Sequence, residues 1–175
     1  MAPRIINAVT ADHRQIEDCY SKVLSSPHND EKTWWQNLFT WELARHSIDE
    51  ELVICPRFEK KVKEQLRQFQ DMIPTNPQFE PTHKALVQDP LQHIHEEKND
   101  DLPKLEGSLS PEDSESLAKS LGRTKMFVPS RSHPSAPDRP PVKTAIGLLT
   151  APIDHLGDLF RRWPHTSGVP NPSAK

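Results

Sequence analysis

No glycine occurs in the first 106 of the 175 residues; all five lie at Gly107 or beyond. That stretch therefore holds neither a glycine-rich phosphate loop nor a dinucleotide-binding turn, since both need glycine for close backbone approach. Aromatic residues make up 6% of the chain and hydrophobic residues 34%, a lean supply that confines the core to part of the length. Positive charge is not in excess: 22 Lys and Arg stand against 25 Asp and Glu, for a net charge of −3. Neither nucleic acid nor an anionic membrane surface is an expected partner. No apolar run nears the roughly 18 residues of a membrane span. Ile5 to Val9 is too short for a signal peptide and runs straight into Asp12, His13 and Arg14, so the expectation is a cytoplasmic protein. The two cysteines, Cys19 and Cys55, are not a CxxC pair, which argues against a zinc finger. Both are expected reduced, as small buried hydrophobes. No nucleophile with its base is recognisable, so no enzyme class is indicated.

Composition changes sharply near residue 107. Ten of the eighteen prolines lie beyond Glu106, and residues 107–175 read as a Pro/Ser-rich extension, partly ordered, with short helices. Residues 1–106 read as a helical domain punctuated by proline. In the first segment Ile6, Val9, His13, Ile16, Tyr20 and Val23 are spaced 3, 4, 3, 4, 3, one face of an amphipathic helix with His13 on its apolar side. A second helix is expected from about Glu31 to Cys55, capped by Asp30, with the stripe Trp35, Phe39, Glu42, His46, Glu50 and Val53. A third, from about Phe58 to Met72, carries Phe58, Val62, Leu66 and Phe69 and no histidine. A fourth covers about Pro81 to Leu105 with Leu86, Pro90, His93 and Glu97 inward, Pro90 kinking or starting it. In the extension, Pro111 to Thr124 reads as a helix behind Ser110, and Thr144 to Trp163 as another, interrupted by Pro152.

The sequence repeats itself once. His46 is followed by Glu50 and Pro56, and His93 by Glu97 and Pro103, at the same offsets. Residues i and i+4 share a helix face, so each copy projects an imidazole and a carboxylate together. With nine His and thirteen Glu, one such pair arises roughly once by chance. Here there are three, His13–Glu17, His46–Glu50 and His93–Glu97, and two share the further proline. Ionisable groups on a buried stripe are costly unless paired or bound to a cation. His and Glu together suit iron, manganese or zinc, and inward His and Glu from several helices are the plan of carboxylate di-iron bundles. The bland alternative is a set of interior histidines hydrogen-bonded to their neighbouring glutamates. His95 points elsewhere on its helix and His83 is about 15 Å from His93 along the axis, so neither is assigned. His28, His133, His155 and His165 read as solvent-exposed.

Asp12-His13-Arg14-Gln15-Ile16-Glu17, His46-Ser47-Ile48-Asp49-Glu50-Glu51 and His93-Ile94-His95-Glu96-Glu97 together resemble the HHE cation-binding domain of hemerythrin-like proteins. Trp41-Glu42-Leu43-Ala44-Arg45-His46 is similar to the fungal members, as is the tail segment from Lys125 to Pro137. The resemblance implies an all-α, up-down four-helix bundle holding a non-haem di-iron centre that binds or senses dioxygen or a related small molecule, or handles iron. Carried over, the metal ligands are His13, His46, Glu50, His93 and Glu97, with the glutamates bridging. The family's third helix supplies a further His and follows a longer connection; here roughly twenty residues are missing by that standard. This departure implies a shortened third helix and a one-iron or weak site. It also keeps open a helix-swapped dimer beside the monomer, and a metal-free helical interaction module as the alternative function.

Overall fold

The computed structural model describes residues 3–53, 60–133, 142–166 and 168–173, with side chains for all of these except 49–53, 60 and 142–149. The described residues form α-helices and no strand: α1 Ile5–Ser25, α2 Asn29–Val53, α3 Lys60–Gln70, α4 Phe79–Glu96, α5 Leu102–Ser108, α6 Pro111–Thr124 and α7 Val142–Asp158. A π-helical turn, Glu97–Asp101, joins α4 to α5. Helices α1 to α3 and the continuous α4–α5 run close a four-membered ring, each helix packing on its neighbours in order and α4–α5 returning to α1. This is the expected bundle. Helix α3 is 11 residues long, short beside the 25 of α2. The connection between them, with Cys55, Pro56 and Phe58, lies outside the described residues.

The stripe on α1 is Ile5, Val9, His13, Ile16, Cys19 and Val23, all buried. Ile6 and Tyr20, expected on that face, are half-buried on its flank. Helix α2 begins at Asn29, two residues earlier than expected, which puts Asp30 and Glu31 in its first turn, where negative charge suits the helix dipole. Trp35, Phe39, Glu42 and His46 are buried as anticipated, but so are Leu38, Thr40, Trp41, Leu43, Ala44 and Ser47. Helix α2 is enclosed on all sides because α6 and the extension cover the face that the bundle leaves open.

Two apolar clusters result. The larger draws on Ile16, Cys19 and Val23 of α1, Leu38 and Phe39 of α2, Leu66 and Phe69 of α3, Leu86 and Ile94 of α4, and Trp163 after α7. The smaller joins Ile5 and Val9 of α1, Leu102 of α5, and Ala118 and Leu121 of α6. Along α1 His13 falls between them, and along the α4–α5 run Glu97 does. A buried polar layer therefore separates two greasy ones.

Pro90 sits inside α4, so the helix runs through it and neither begins nor ends there. The π-helical turn was not anticipated. Pro103 has no N–H to return to the carbonyl four residues back, which favours a wider turn just before it. In the extension, α6 occupies the expected span, its start fixed by the Ser110 hydroxyl, which accepts from the Asp113 N–H at 3.1 Å. Beyond it, Ser130–His133 straps α7 to the bundle. The Ser130 hydroxyl donates to Asp158 at 2.6 Å, the Ser132 hydroxyl to the Lys63 carbonyl at 2.5 Å, and Arg131 to Asn37 at 3.2 Å. His133 pairs with Asp154 at 2.9 Å, and His155 lies within α7, 3.9 Å from Asp158. Neither is the fully exposed tail histidine its sequence context suggested. No helix among the described residues is long and apolar enough to cross a membrane.

Candidate metal centre

The polar layer brings together His13 from α1, His46 from α2 and Glu97 from the π-helical turn. Their residual exposures are 0%, 3% and 4%. His13 Nε2 lies 3.2 Å from Glu97 Oε2, and His93 Nε2 lies 3.4 Å from Glu97 Oε1. One carboxylate thus meets two imidazoles, one on each oxygen. The His13 and His46 rings stand nearly perpendicular at 83°, with centroids 4.9 Å apart.

One ligand atom from each of His13, His46 and Glu97 lies within 4.8 Å of the others. Two donors on one ion at about 2.1 Å can be at most about 4.2 Å apart. Donors in tetrahedral geometry stand about 3.4 Å apart, so seating an ion requires the three side chains to draw in by up to about an ångström or a little more. The donor set is two imidazole nitrogens and one carboxylate oxygen, all on buried residues. That chemistry fits a first-row divalent metal.

The structure places the other expected ligands differently. His93 is on the rim, its side chain 26% exposed. Glu50 lies in α2 one turn beyond His46, and its side chain is outside the described residues. His95 faces solvent and bonds with Asn99. His83 is buried in a separate aromatic cage, stacked on Phe69 at 4.4 Å, with Phe39 and Tyr20 edge-on at 4.7 and 5.0 Å. Burial holds its pKa down at about 3, so the ring is neutral. Cys19, also buried, has its thiol pushed up to about 12 and is chemically inert.

A charged group borders the layer, and spacing singles out only its Glu42. Asp12 Oδ2 sits 4.0 Å from His46 Nδ1 and pairs with the Lys125 ammonium. Arg45 donates through Nε and a terminal nitrogen to the Lys125 carbonyl at 3.0 and 2.8 Å, and its guanidinium lies over the Trp41 ring at 3.7 Å. Glu42, one turn before His46, is buried, and desolvation raises its pKa to about 7 against the opposing pull of Arg45 and Lys125. The sequence already places Glu42 on the α2 stripe, whereas Asp12 and Lys125 are marked only as the acidic residue beside His13 and the basic one opening the tail segment.

No family model matches this chain, and no solved structure matches it. A protein of Schizosaccharomyces pombe, described as an uncharacterized hemerythrin-like protein, is 43% identical over 179 residues, covering 92% of this chain and 88% of that one. Since 92% of 175 residues is about 161, about 18 of the 179 aligned positions carry no residue of this chain. An all-helical bundle, a buried His/Glu layer and this degree of identity along nearly the whole length agree: the chain belongs to the hemerythrin-like proteins.

Proposed function

We propose that this protein binds non-haem iron in the polar layer of its bundle, and that the bound ion serves to bind or sense dioxygen or a related small molecule, or to handle iron. The observation that carries this reading is the convergence of His13, His46 and Glu97 from separate elements, all buried and within 4.8 Å. Interior charge is costly without a cation or a partner. Here Glu97 contacts two imidazoles, one through each oxygen, which is the disposition of a carboxylate shared between ligand groups. His13, His46 and Glu97 would hold the ion. Glu50 and His93 would complete the set, Glu50 from one turn along α2 and His93 from the rim. Iron, when bound, would supply the open coordination positions and redox capacity. The protein's part is to orient the imidazoles, supply negative charge and exclude water.

The rim position of His93 and the lack of any histidine in Lys60–Gln70 of α3 support a centre with fewer ions than the two the family plan provides. The competing reading is a metal-free helical interaction module, favoured by the fact that Glu97 already meets His13 and His93 at 3.2 and 3.4 Å. Iron per chain, after anaerobic ferrous loading and desalting, separates these readings. Near one or near two irons supports metal binding and gives the nuclearity. Near zero refutes it. His46→Ala should lower the iron content, and equal content in that variant and the parent would remove His46 from the ligand set.

A further inference from the structure

The part of the chain least suggestive of chemistry, the extension beyond residue 106, reaches the metal centre through one side chain. We propose that Lys125 is a positioning residue of that centre: it fixes the Asp12 carboxylate, and Asp12 in turn orients the His46 ring. The proposal rests on the metal reading above for its function, and on three contacts for its geometry.

Lys125 caps the C-terminal end of α6, and its own backbone is held. Both Arg45 hydrogen bonds end on its carbonyl oxygen, and Arg45 is itself stacked on Trp41. Residues of α2 on the outer side of His46 thus grip the extension where its lysine must turn inward. The ammonium then meets Asp12 Oδ2 in a sheltered setting, with side-chain exposures of 15% and 20%. A pair so withdrawn from water holds its geometry better than an exposed one, which contributes little. The oxygen that meets Lys125 is also the one 4.0 Å from His46 Nδ1. A ring that turns Nδ1 towards a carboxylate presents Nε2 on its opposite edge, and a carboxylate behind the other nitrogen is the usual device for fixing a metal-binding imidazole.

The charges around Asp12 favour a cation beside it, and Lys125 supplies one by direct contact. Glu42 is buried within electrostatic reach of it, and Glu97 belongs to the same polar layer. Carboxylates close to one another repel, and a cation in contact with one of them relieves that cost. Lys125 neutralises Asp12 at the same oxygen that faces the ring. Without it Asp12 would be freer to turn to solvent, and His46 would lose the contact Asp12 makes with its Nδ1.

The test uses the full chain and Co2+ as probe, with affinity measured by competition against a chromophoric chelator, and with the melting temperature of each metal-free variant. Lys125→Met and Asp12→Asn should each weaken Co2+ binding by about tenfold or more. The double variant should be no weaker than Asp12→Asn alone, as expected of residues acting through one another. Lys125→Arg should stay near the parent. Parental affinity in Lys125→Met overturns the proposal. So does a loss that appears equally in Lys125→Arg and tracks the metal-free melting temperature, since that describes a staple of the fold. If the parent retains no Co2+, the metal reading falls. The positioning claim is then decided by the ring-nitrogen chemical shifts of His46 in the metal-free chain. An Nδ1-protonated ring that changes tautomer in both Asp12→Asn and Lys125→Met upholds it, and an unchanged ring overturns it.

Discussion

Acid should destabilise the metal-free protein through one histidine that takes no part in the metal layer. His83 is fully buried, stacked on Phe69 and edge-on to Phe39 and Tyr20. Among the described residues no acceptor hydrogen-bonds the ring, and burial lowers its pKa from 6.5 to about 3, with Glu80 pulling the other way. The unfolded chain protonates this ring as pH falls through about 6.5, while the folded chain does not until about 3. Within that window the unfolded state binds the extra proton, so stability is full above it and is lost as pH falls. Each pH unit corresponds to about 1.4 kcal/mol, and from pH 7 to pH 5 the loss is about 2 kcal/mol. That is a large part of a typical margin of about 5–15 kcal/mol. The assay is urea unfolding at the two pH values in the presence of chelator, comparing the parent with His83→Phe. Phenylalanine suits an aromatic cage, and any overpacking cost of about 1–3 kcal/mol shifts both pH values alike. Other titrating groups are common to both proteins and cancel. The variant should lose about 2 kcal/mol less than the parent between pH 7 and pH 5. Equal losses would refute the neutral, caged His83.

Glu42 should behave in the opposite sense. Its pKa is raised to about 7, so its contribution is intact below about 4.5 and declines as pH rises through about 7. Between pH 5 and pH 8 the parent should lose about 2–3 kcal/mol relative to Glu42→Gln, read from the same urea curves. Phe39→Ala removes a ring that lies edge-on to both Phe69 and His83 and should cost about 3–5 kcal/mol in chemical denaturation. Metal at a hundred times its dissociation constant should stabilise the fold by about 2.7 kcal/mol. For a chain this long that raises the melting temperature by about 5–10 °C. A chelator should reverse the rise and His46→Ala should abolish it; a parent whose melting temperature ignores iron would contradict the metal reading.

Much of the fold is legible in the sequence wherever the signal is local. The α6 span can be read because Ser110, Pro111 and two acidic residues form a helix start that depends on nothing distant. The flanks of α1 cannot be read so well. Val9, His13, Ile16 and Val23 satisfy either of two neighbouring stripes. Ile5 and Cys19, not Ile6 and Tyr20, lie inward because α6 takes Ile5 into its cluster and the main core takes Cys19. Helix α2 misleads in another way. Its apolar face looks like a stripe, yet nearly every residue from Leu38 to Ser47 is buried, because coverage comes from residues some 80 positions later. The π-helical turn leaves no periodic signature, since it is an interruption of the period itself.

The candidate site shows the same division more sharply. The repeat of His and Glu at i and i+4 points to His13, His46, Glu50, His93 and Glu97; His13, His46, His93 and Glu97 come close in the structure, and the Glu50 side chain lies outside the described residues. The repeat also suggests two equivalent pairs, and there the spatial arrangement departs from it. Glu97 opens the π-helical turn, and its carboxylate lies between His13 and His93. His46 is enclosed while His93 stands on the rim. One sequence unit, used twice, thus occupies unlike environments because one copy lies in a regular helix and the other meets a widened turn before Pro103. Asp12 and Lys125 had no spacing to betray them, being joined only by the fold. What sequence reasoning could have asked is where the charge beside a buried histidine finds its counter-ion, since a sheltered carboxylate next to His13 requires one. In this protein the counter-ion comes from Lys125, so the extension closes the polar layer from outside. A deletion after residue 106 would therefore leave the sequence repeat intact while stripping Asp12 of its cation, and on the reasoning above it should loosen the imidazole at His46 as well as the packing of Ile5 and Val9.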